Sequence, residues 1–429
     1  MRIAFITAGA AGMYCGSCLR DNTLATALIA LEHDAILVPT FTPITTDEAD
    51  VSTRRVFLGG INVYLQDRFR FFRHTPRFLD RLFNARWLLK YVARFSSNTD
   101  YSALGGLTAS MLQGTHGRQR KEVAKLVDWL KEDVKPDVVL LTNALLSGIV
   151  PAIREALRVP VLTTLQGDDV FLDALPKSDR ERCIGLIREH DANTAGYIST
   201  SIAYADLMSG YLGIDRQKIH VIYPGINPNG HARELLAIRP ERPLTLGYFA
   251  RIAPEKGFGN IVDAFLKLRQ LPGMADVRLR YAGWLGEKNR HFHEAELAKI
   301  AAAGATQAVE HFDCPDHASK VRFLQSIDVM TVPTVFREPK GLYVLEAWAN
   351  GVPVVQPRHG SFPELIESTG GGLLVPPNDP DALASAVREL LLDEPRRVAM
   401  GQRGWQAVHA QYTATHMAEA TVRLLEKFK

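Results

Sequence analysis

The sequence predicts an α/β chain of two domains, each a parallel sheet covered by helices on both faces, with a ligand-binding cleft between them. Three observations carry this. The chain has 429 residues, too many for one ordinary core and comfortable for two of about 200 residues. Short apolar runs of strand length recur, each followed by a helical pattern, and such alternation builds parallel sheets covered on both faces. The alternation lapses once, over 224–243, where Pro224, Gly225, Pro228, Gly230, Pro240 and Pro243 cluster, the composition of an inter-domain linker.

In the first half the expected strands are Ile3–Thr7, Ala35–Pro39, Val138–Leu141, Val161–Thr164 and Ile219–Tyr223. A helix is expected over about 118–132, because Val123, Leu126, Val127 and Leu130 recur at i, i+3, i+4 and i+7. Pro136-Asp137 then breaks the chain before the next strand. In the second half Leu244–Phe249, Val277–Ala282, Asp328–Val332, Pro353–Gln356 and Leu373–Val375 read as strands. Helices are expected over 257–270, 288–303 and 341–350, and the last stretch, 379–427, is helical. The domains are then 1–224, a linker over 225–243, and 244–412, with a terminal helix at 413–429 packing back on the first domain. Ligands of such sheets bind outside the C-terminal ends of the strands.

Composition excludes little. Apolar residues make up 46% and charged residues 23%, as in soluble globular proteins. A net charge of +3 provides no global field to attract nucleic acid or membrane. Cys15 and Cys18 form a lone C-x-x-C, and Cys183 and Cys314 do not complete zinc spacing. The uncharged run Ile3–Leu19 contains Gly9, Gly12 and Gly16, so it reads as a strand and glycine loop rather than a signal peptide. With no apolar stretch of about 18 residues, the expectation is a cytoplasmic protein.

Two segments carry chemistry. Arg251-Ile-Ala-Pro-Glu-Lys256-Gly257 leaves a buried strand and opens a helix. Pro254 suits a first turn, and a guanidinium, an ammonium and backbone N–H groups at one helix start suit a diphosphate. In Glu338-Pro-Lys-Gly-Leu-Tyr-Val-Leu-Glu346, two acids bracket a helix start. Were both helical, eight positions would bring them within about 80° of each other. A carboxylate can accept from the two hydroxyls of a ribose, and the N–H groups between the acids can hold phosphate or sugar oxygens. Paired carboxylates also equip glycosidases, but an acid beside an anion site is hard to keep protonated.

These motifs, with Ala347-Trp-Ala-Asn-Gly-Val-Pro-Val-Val355, Gly360-Ser-Phe-Pro-Glu364 and Gly370-Gly-Gly-Leu-Leu-Val-Pro-Pro-Asn-Asp379, resemble the retaining glycosyltransferases of family 4. Their GT-B fold is two Rossmann-like domains facing across a cleft. The likeness is strong over about 244–400. It implies a hexosyltransferase that takes a sugar from a nucleotide-diphosphate donor with retention of configuration. Arg251 and Lys256 would grip the diphosphate, and Glu338 would lie near the transferred sugar. Amides of Lys340, Gly341, Leu342 and Tyr343 would contact sugar hydroxyls and phosphate, and Glu346 the ribose. The base would rest near His311–Cys314. The family's N-terminal glycine loop implies Gly16 beside the donor phosphate, with Ser17 as a cap.

No metal or other cofactor is implied, because cations and amides can stabilise the departing diphosphate. Asp379-Pro-Asp381 formally matches the D-x-D of metal-dependent transferases, but it follows a strand and precedes an amphipathic helix, where Asp379 reads as a cap. The chain departs from the family where related enzymes place a histidine after an N-domain strand. The corresponding strand ends read Thr142-Asn143 and Gln166-Gly167-Asp168-Asp169, so Asn143, Gln166 and Asp168 are the acceptor-side candidates. The missing histidine supports one alternative, a non-catalytic nucleotide-sugar binding protein; a nucleotide-sugar epimerase on the same fold is another.

The acceptor is not specified, saccharide and lipid-linked molecules both remaining, and nucleic acid is not an expected partner. Residues 68–95 hold eight Arg or Lys against Asp80, and eight aromatics. A helix over 77–95 would set Arg86, Lys90 and Arg94 beside Trp87, Tyr91 and Phe95. That pattern suits peripheral contact with a lipid surface at the inner membrane face, although an ordinary packed helix would show it too.

Overall fold

The structure is a computed structural model that describes residues 1–9, 16–53, 56–58, 101–232 and 243–429. The basic, aromatic stretch 68–95, Gly12 and Cys15 lie outside the described residues. The chain separates into two compact units, Met1–Tyr223 with Thr415–Lys429, and Pro224–Ala414. Among the described residues each unit contains one six-stranded sheet.

The first sheet comprises β1 (Arg2–Thr7), β2 (Asp34–Pro39), β3 (Val138–Leu141), β4 (Val161–Leu165), β5 (Gly196–Ser199) and β6 (Ile219–Val221). Their order is β2-β1-β3-β4-β5-β6, and every pair is parallel. The helices are α1 (Gly16–Ala30), α2 (Tyr101–Leu112), α3 (Arg120–Trp129), α4 (Val150–Leu157), α5 (Asp168–Asp173), α6 (Lys177–His190) and α7 (Ile202–Leu212). The α3 stripe is as the periodicity requires: Val123, Leu126, Val127 and Leu130 are buried with β3 and β4 residues in one core. Strand β5 was not anticipated, because Gly-Tyr-Ile-Ser contains no apolar run; tertiary pairing with β4 and β6 makes it a strand. Gly9 follows β1 with φ of 84°, and a Cβ there would lie 1.9 Å from the Thr42 carbonyl oxygen, so the turn requires glycine.

The second sheet comprises β7 (Thr245–Phe249), β8 (Arg278–Ala282), β9 (Val309–Phe312), β10 (Val329–Met330), β11 (Val354–Pro357) and β12 (Gly372–Val375). The order β12-β11-β10-β7-β8-β9, again all parallel, is the 3-2-1-4-5-6 arrangement of a Rossmann sheet. Around it lie α8 (Phe258–Gln270), α9 (Arg290–Ala302), α10 (His317–Leu324), α11 (Leu342–Trp348), α12 (Phe362–Thr369), α13 (Pro380–Leu392) and α14 (Glu394–Gln411). The last helix of the chain is α15 (Ala414–Leu425).

The expected helical stretch 379–427 comprises α13, α14 and α15. Asp393, whose side chain accepts from the Arg396 N–H, starts α14 with Pro395 in its first turn, and a proline there supplies no N–H to continue the preceding helix. Residues 224–232 belong to the second unit, where the Ile226 N–H donates to the Tyr412 carbonyl and Ala414 donates back to Ile226. In the first unit, the residues after α15 place Phe428 against His220, with ring centroids 5.8 Å apart.

Candidate functional site

In the second sheet the chain runs from β7 outward through β8 to β9, then returns to the other side of β7 at β10. At such a switch point the loops leaving two neighbouring strands diverge and leave a crevice at the strands' C-terminal ends. Those two loops here are 250–257, after β7, and 331–341, after β10. They contain Arg251 and Lys256 on one side and Glu338 on the other.

Local chemistry shapes the first loop. Tyr248 at the end of β7 is fully buried, and its hydroxyl donates to the Arg251 carbonyl at 2.8 Å. Pro254 opens a 3-10 turn over Pro254–Lys256 that ends at Gly257, with φ of 74°. A Cβ on Gly257 would stand 1.8 Å from the Pro333 carbonyl oxygen, so glycine lets the two loops cross. The Val335 N–H donates to the Glu255 carbonyl at 3.0 Å, and the Ser361 N–H to the Glu338 carbonyl at 2.8 Å. Three loops are thereby tied together around Glu338.

Glu338 is 3% exposed. Its Oε2 lies 2.7 Å from Lys256 Nζ, and the Tyr343 hydroxyl donates to the same oxygen at 3.3 Å. Its Oε1 accepts the Lys340 N–H at 3.4 Å. Burial pushes this carboxyl upward, but the Lys256 charge and hydrogen bond, with Lys340 behind them, outweigh it and hold it below its ordinary value. It is a carboxylate at neutral pH, which removes the protonated acid a glycosidase would need. Lys256 also sits 4.7 Å from the centre of the Phe336 ring and 5.6 Å from that of Tyr343. These faces favour a cation while using none of its N–H donors.

The remaining predicted residues of the second unit differ in their relation to this pair. Arg251 Nη2 lies 3.3 Å from Glu255 Oε1 and the side chain is partly exposed, so it shares the loop with Lys256 but not the contact with Glu338. Glu338 precedes α11 by four residues, so the helical angle between the acids does not apply. Gly341, with φ of 67°, caps α11, and Leu342 and Tyr343 form its first turn. Glu346 stands one turn after Tyr343 on the same helix face. It pairs with neither Arg251 nor Lys256: its Oε1 lies 2.7 Å from Lys320 Nζ, both side chains buried. The two acids thus each hold a different lysine.

Lys320 was missed by sequence reasoning. Its signal was a lysine beside Val321, Phe323 and Leu324 in a short helix, α10, that Asp316 and Ser319 begin with a capping box. This helix follows β9, whose His311 stacks on Tyr281 with ring centroids 4.7 Å apart. Lys320 therefore comes from the segment after the His311–Cys314 stretch. Asn350 extends the Glu346 side of the site, donating to the Glu346 carbonyl at 2.9 Å and meeting His231 Nδ1 at 2.8 Å.

In the first unit Gly16 is the first residue of α1, which puts Ser17 inside the helix rather than before it. Asn143, Gln166 and Asp168 come together where β3 and β4 end. Asp168 is 3% exposed, and its two oxygens accept the N–H groups of Ala144 (2.6 Å) and Gln166 (2.9 Å). Burial pushes its carboxyl up to about 6, against those hydrogen bonds. Gln166 Nε2 donates to the Thr142 carbonyl at 2.8 Å. Asp379 caps α13 by accepting the Ala382 N–H, and Asp381 pairs with Lys267 at 2.6 Å. Among the described residues no cluster of His, Cys, Asp and Glu could hold a metal ion, and no helix is long and apolar enough to cross a membrane.

Residues 237–406 match the family model of Glycosyl transferases group 1, and residues 106–229 that of Glycosyltransferase Family 4. The chain belongs to glycosyltransferase family 4. A glycogen synthase of Mycobacterium tuberculosis is 29% identical over 289 residues, 65% of this chain and 65% of that one. A GDP-mannose-dependent alpha-(1-6)-phosphatidylinositol monomannoside mannosyltransferase of the same species is 32% identical over 179 residues, 40% of this chain and 44% of that one. This family 4 chain thus spans less than two thirds of the length of these relatives. The crystal structure of Anabaena HepE in complex with UDP aligns over 100% of both chains, with a TM-score of 0.69 at 16% identity. The two-unit α/β fold is therefore of the GT-B type.

Proposed function

We propose that this family 4 protein moves a hexose-type sugar from a nucleotide-diphosphate donor to an acceptor hydroxyl, with retention of anomeric configuration and without a divalent ion. The observation that carries the reading is the Lys256–Glu338 contact of 2.7 Å at the switch point of the second sheet, with Arg251 on the same loop. Lys256 has three N–H donors and gives one to Glu338. It keeps the capacity to meet a phosphate oxygen while Glu338 holds it in place. Arg251 adds a planar fork for the same diphosphate.

As the bond between the anomeric carbon and the phosphate oxygen breaks, negative charge grows on the diphosphate, where these cations stabilise it most. The acceptor oxygen bonds to the anomeric carbon on the face the diphosphate leaves, and its proton passes to the departing phosphate oxygen. Glu338, ionised and buried, accepts hydrogen bonds from hydroxyls of the transferred sugar. Glu346, held by Lys320, accepts from the ribose. The relative named for GDP-mannose fits a nucleoside-diphosphate donor.

The test is product analysis with uridine, guanosine and adenosine diphosphate sugars, in EDTA, over a panel of sugar and lipid-linked acceptors. A glycoside with the donor's anomeric configuration is expected. Binding without turnover, an epimerised donor formed without acceptor, or an inverted product would each overturn the proposal.

A further inference from the structure

The first unit has a switch point of its own. The chain steps from β1 to β2 on one side and to β3 on the other, and the Thr7 and Thr142 hydroxyls at the strand ends are 3.5 Å apart. Arg20, in the second turn of α1, is 1% exposed. Its Nη1 donates to Asp21 Oδ1 at 3.1 Å, while Nε and Nη2 have no hydrogen-bond partner. Those two N–H groups form one edge of the guanidinium, a planar fork matched to a pair of oxygen atoms. Buried donors of a charged group left unsatisfied are rare, because their desolvation is not compensated.

The network continues from there. Gln166 Nε2 lies 3.4 Å from Asp21 Oδ1 and donates to the Thr142 carbonyl at 2.8 Å. The next residue, Asn143, has a buried Oδ1 with no partner. A hydrogen-bonded path at the C-terminal edge of the sheet thus joins the unmet donors of Arg20 to the residue next to Asn143, whose Oδ1 is an unmet acceptor.

The chemistry of that set selects a ligand class. An oxyanion would answer the Arg20 fork but supplies no proton for Asn143 Oδ1. It would also add negative charge where Asp21 already balances Arg20 and where Asp168 accepts the Gln166 N–H. Adjacent hydroxyls of a neutral ring accept from the fork and donate to the amide oxygen. We propose that Arg20 and Asn143 form a binding site for vicinal hydroxyls of a sugar or cyclitol, and that Arg20 is a specificity-determining residue on the acceptor side. As an acceptor site it rests on the glycosyl-transfer reading; as a polyol site it does not.

The test uses the full chain and ligand-observed NMR with glucose, mannose and myo-inositol, with inorganic phosphate as a separate arm. Arg20→Lys keeps a charge beside Asp21 but lacks the fork, and Asn143→Ala removes the acceptor. One of the rings is expected to bind, about 10-fold or more weakly to Arg20→Lys and several-fold more weakly to Asn143→Ala. Nucleoside-diphosphate binding should be unchanged in both variants. If Arg20→Lys does not fold, Asn143→Ala carries the test alone. Absence of ring binding, wild-type ring affinity in the folded variants, or displacement of the ring by phosphate would overturn the site. Ring binding without any nucleoside-diphosphate binding would instead refute the glycosyl-transfer reading and leave the site standing.

Discussion

Asp168 in the first unit and Glu338 in the second are buried alike, each 3% exposed, and each follows the C-terminal end of a strand, Asp168 at the start of α5 and Glu338 in the loop before α11. Their acidities move in opposite directions. Asp168 is held by backbone N–H groups, and burial wins, so its carboxyl rises to about 6. Glu338 faces Lys256, and the cation wins over burial, so its carboxyl falls below the ordinary value. A buried acid held only by neutral donors braces loops. A buried acid facing a lysine keeps its charge and positions a cation for something else. The same sheet architecture thus carries an acid held by neutral donors in one unit and an acid paired with a cation in the other.

The sharpest way to break this contrast is Lys256→Ala. It removes a charge-assisted contact worth ~1.5–3 kcal/mol, so the proposed transfer should fall about 10- to 150-fold or further. It also leaves Glu338 buried beside fewer cations. The melting temperature should fall, and Lys256→Met combined with Glu338→Gln should recover part of the loss. Wild-type rate and stability for the single variant would remove Lys256 from the site.

Lys320→Met comes next. It strips Glu346 of its ammonium and should weaken nucleoside-diphosphate affinity by about tenfold in titration calorimetry. A double-mutant cycle with Glu346→Gln should show coupling, and strict additivity would separate the two residues. Tyr343→Phe removes one neutral hydroxyl from Glu338 and should cost ~0.5–1.5 kcal/mol. That is visible as a fall in transfer rate of at most about tenfold, with the fold intact by circular dichroism.

The smallest effects concern pH. Asp168 binds its proton more tightly in the folded state, so its contribution to stability declines as pH climbs from about 4 to about 6. Glu338 binds its proton less tightly when folded, so its contribution is present above its ordinary carboxyl range and is lost as pH falls through it. Urea melts across pH 3 to 7 should show the decline at higher pH shrink in Asp168→Asn and the loss at lower pH shrink in Glu338→Gln. If both variants change the same limb of the profile, the contrast is wrong.

The two units were not equally legible in the sequence. In the second, strand runs, Pro254, Gly257 and Gly341 each mark a local necessity, so Arg251, Lys256 and the start of α11 could be placed from spacing. What spacing could not give was pairing across elements: that Lys256 meets Glu338, and that Glu346 meets a lysine 26 positions away in α10. In the first unit β5 escaped notice because neighbouring strands, not its own residues, make it a strand. Arg20 escaped because a charged residue in an amphipathic helix normally faces solvent, whereas here Asp21 and Gln166 are buried with it.

The most direct test is titration calorimetry of uridine, guanosine and adenosine diphosphates, in EDTA, into the wild type, Lys256→Ala and Lys320→Met. The account predicts that at least one nucleotide binds the wild type without metal and that each lysine variant loses about tenfold or more in affinity. A wild type that binds none of them, or lysine variants that bind as tightly as the wild type, would contradict it.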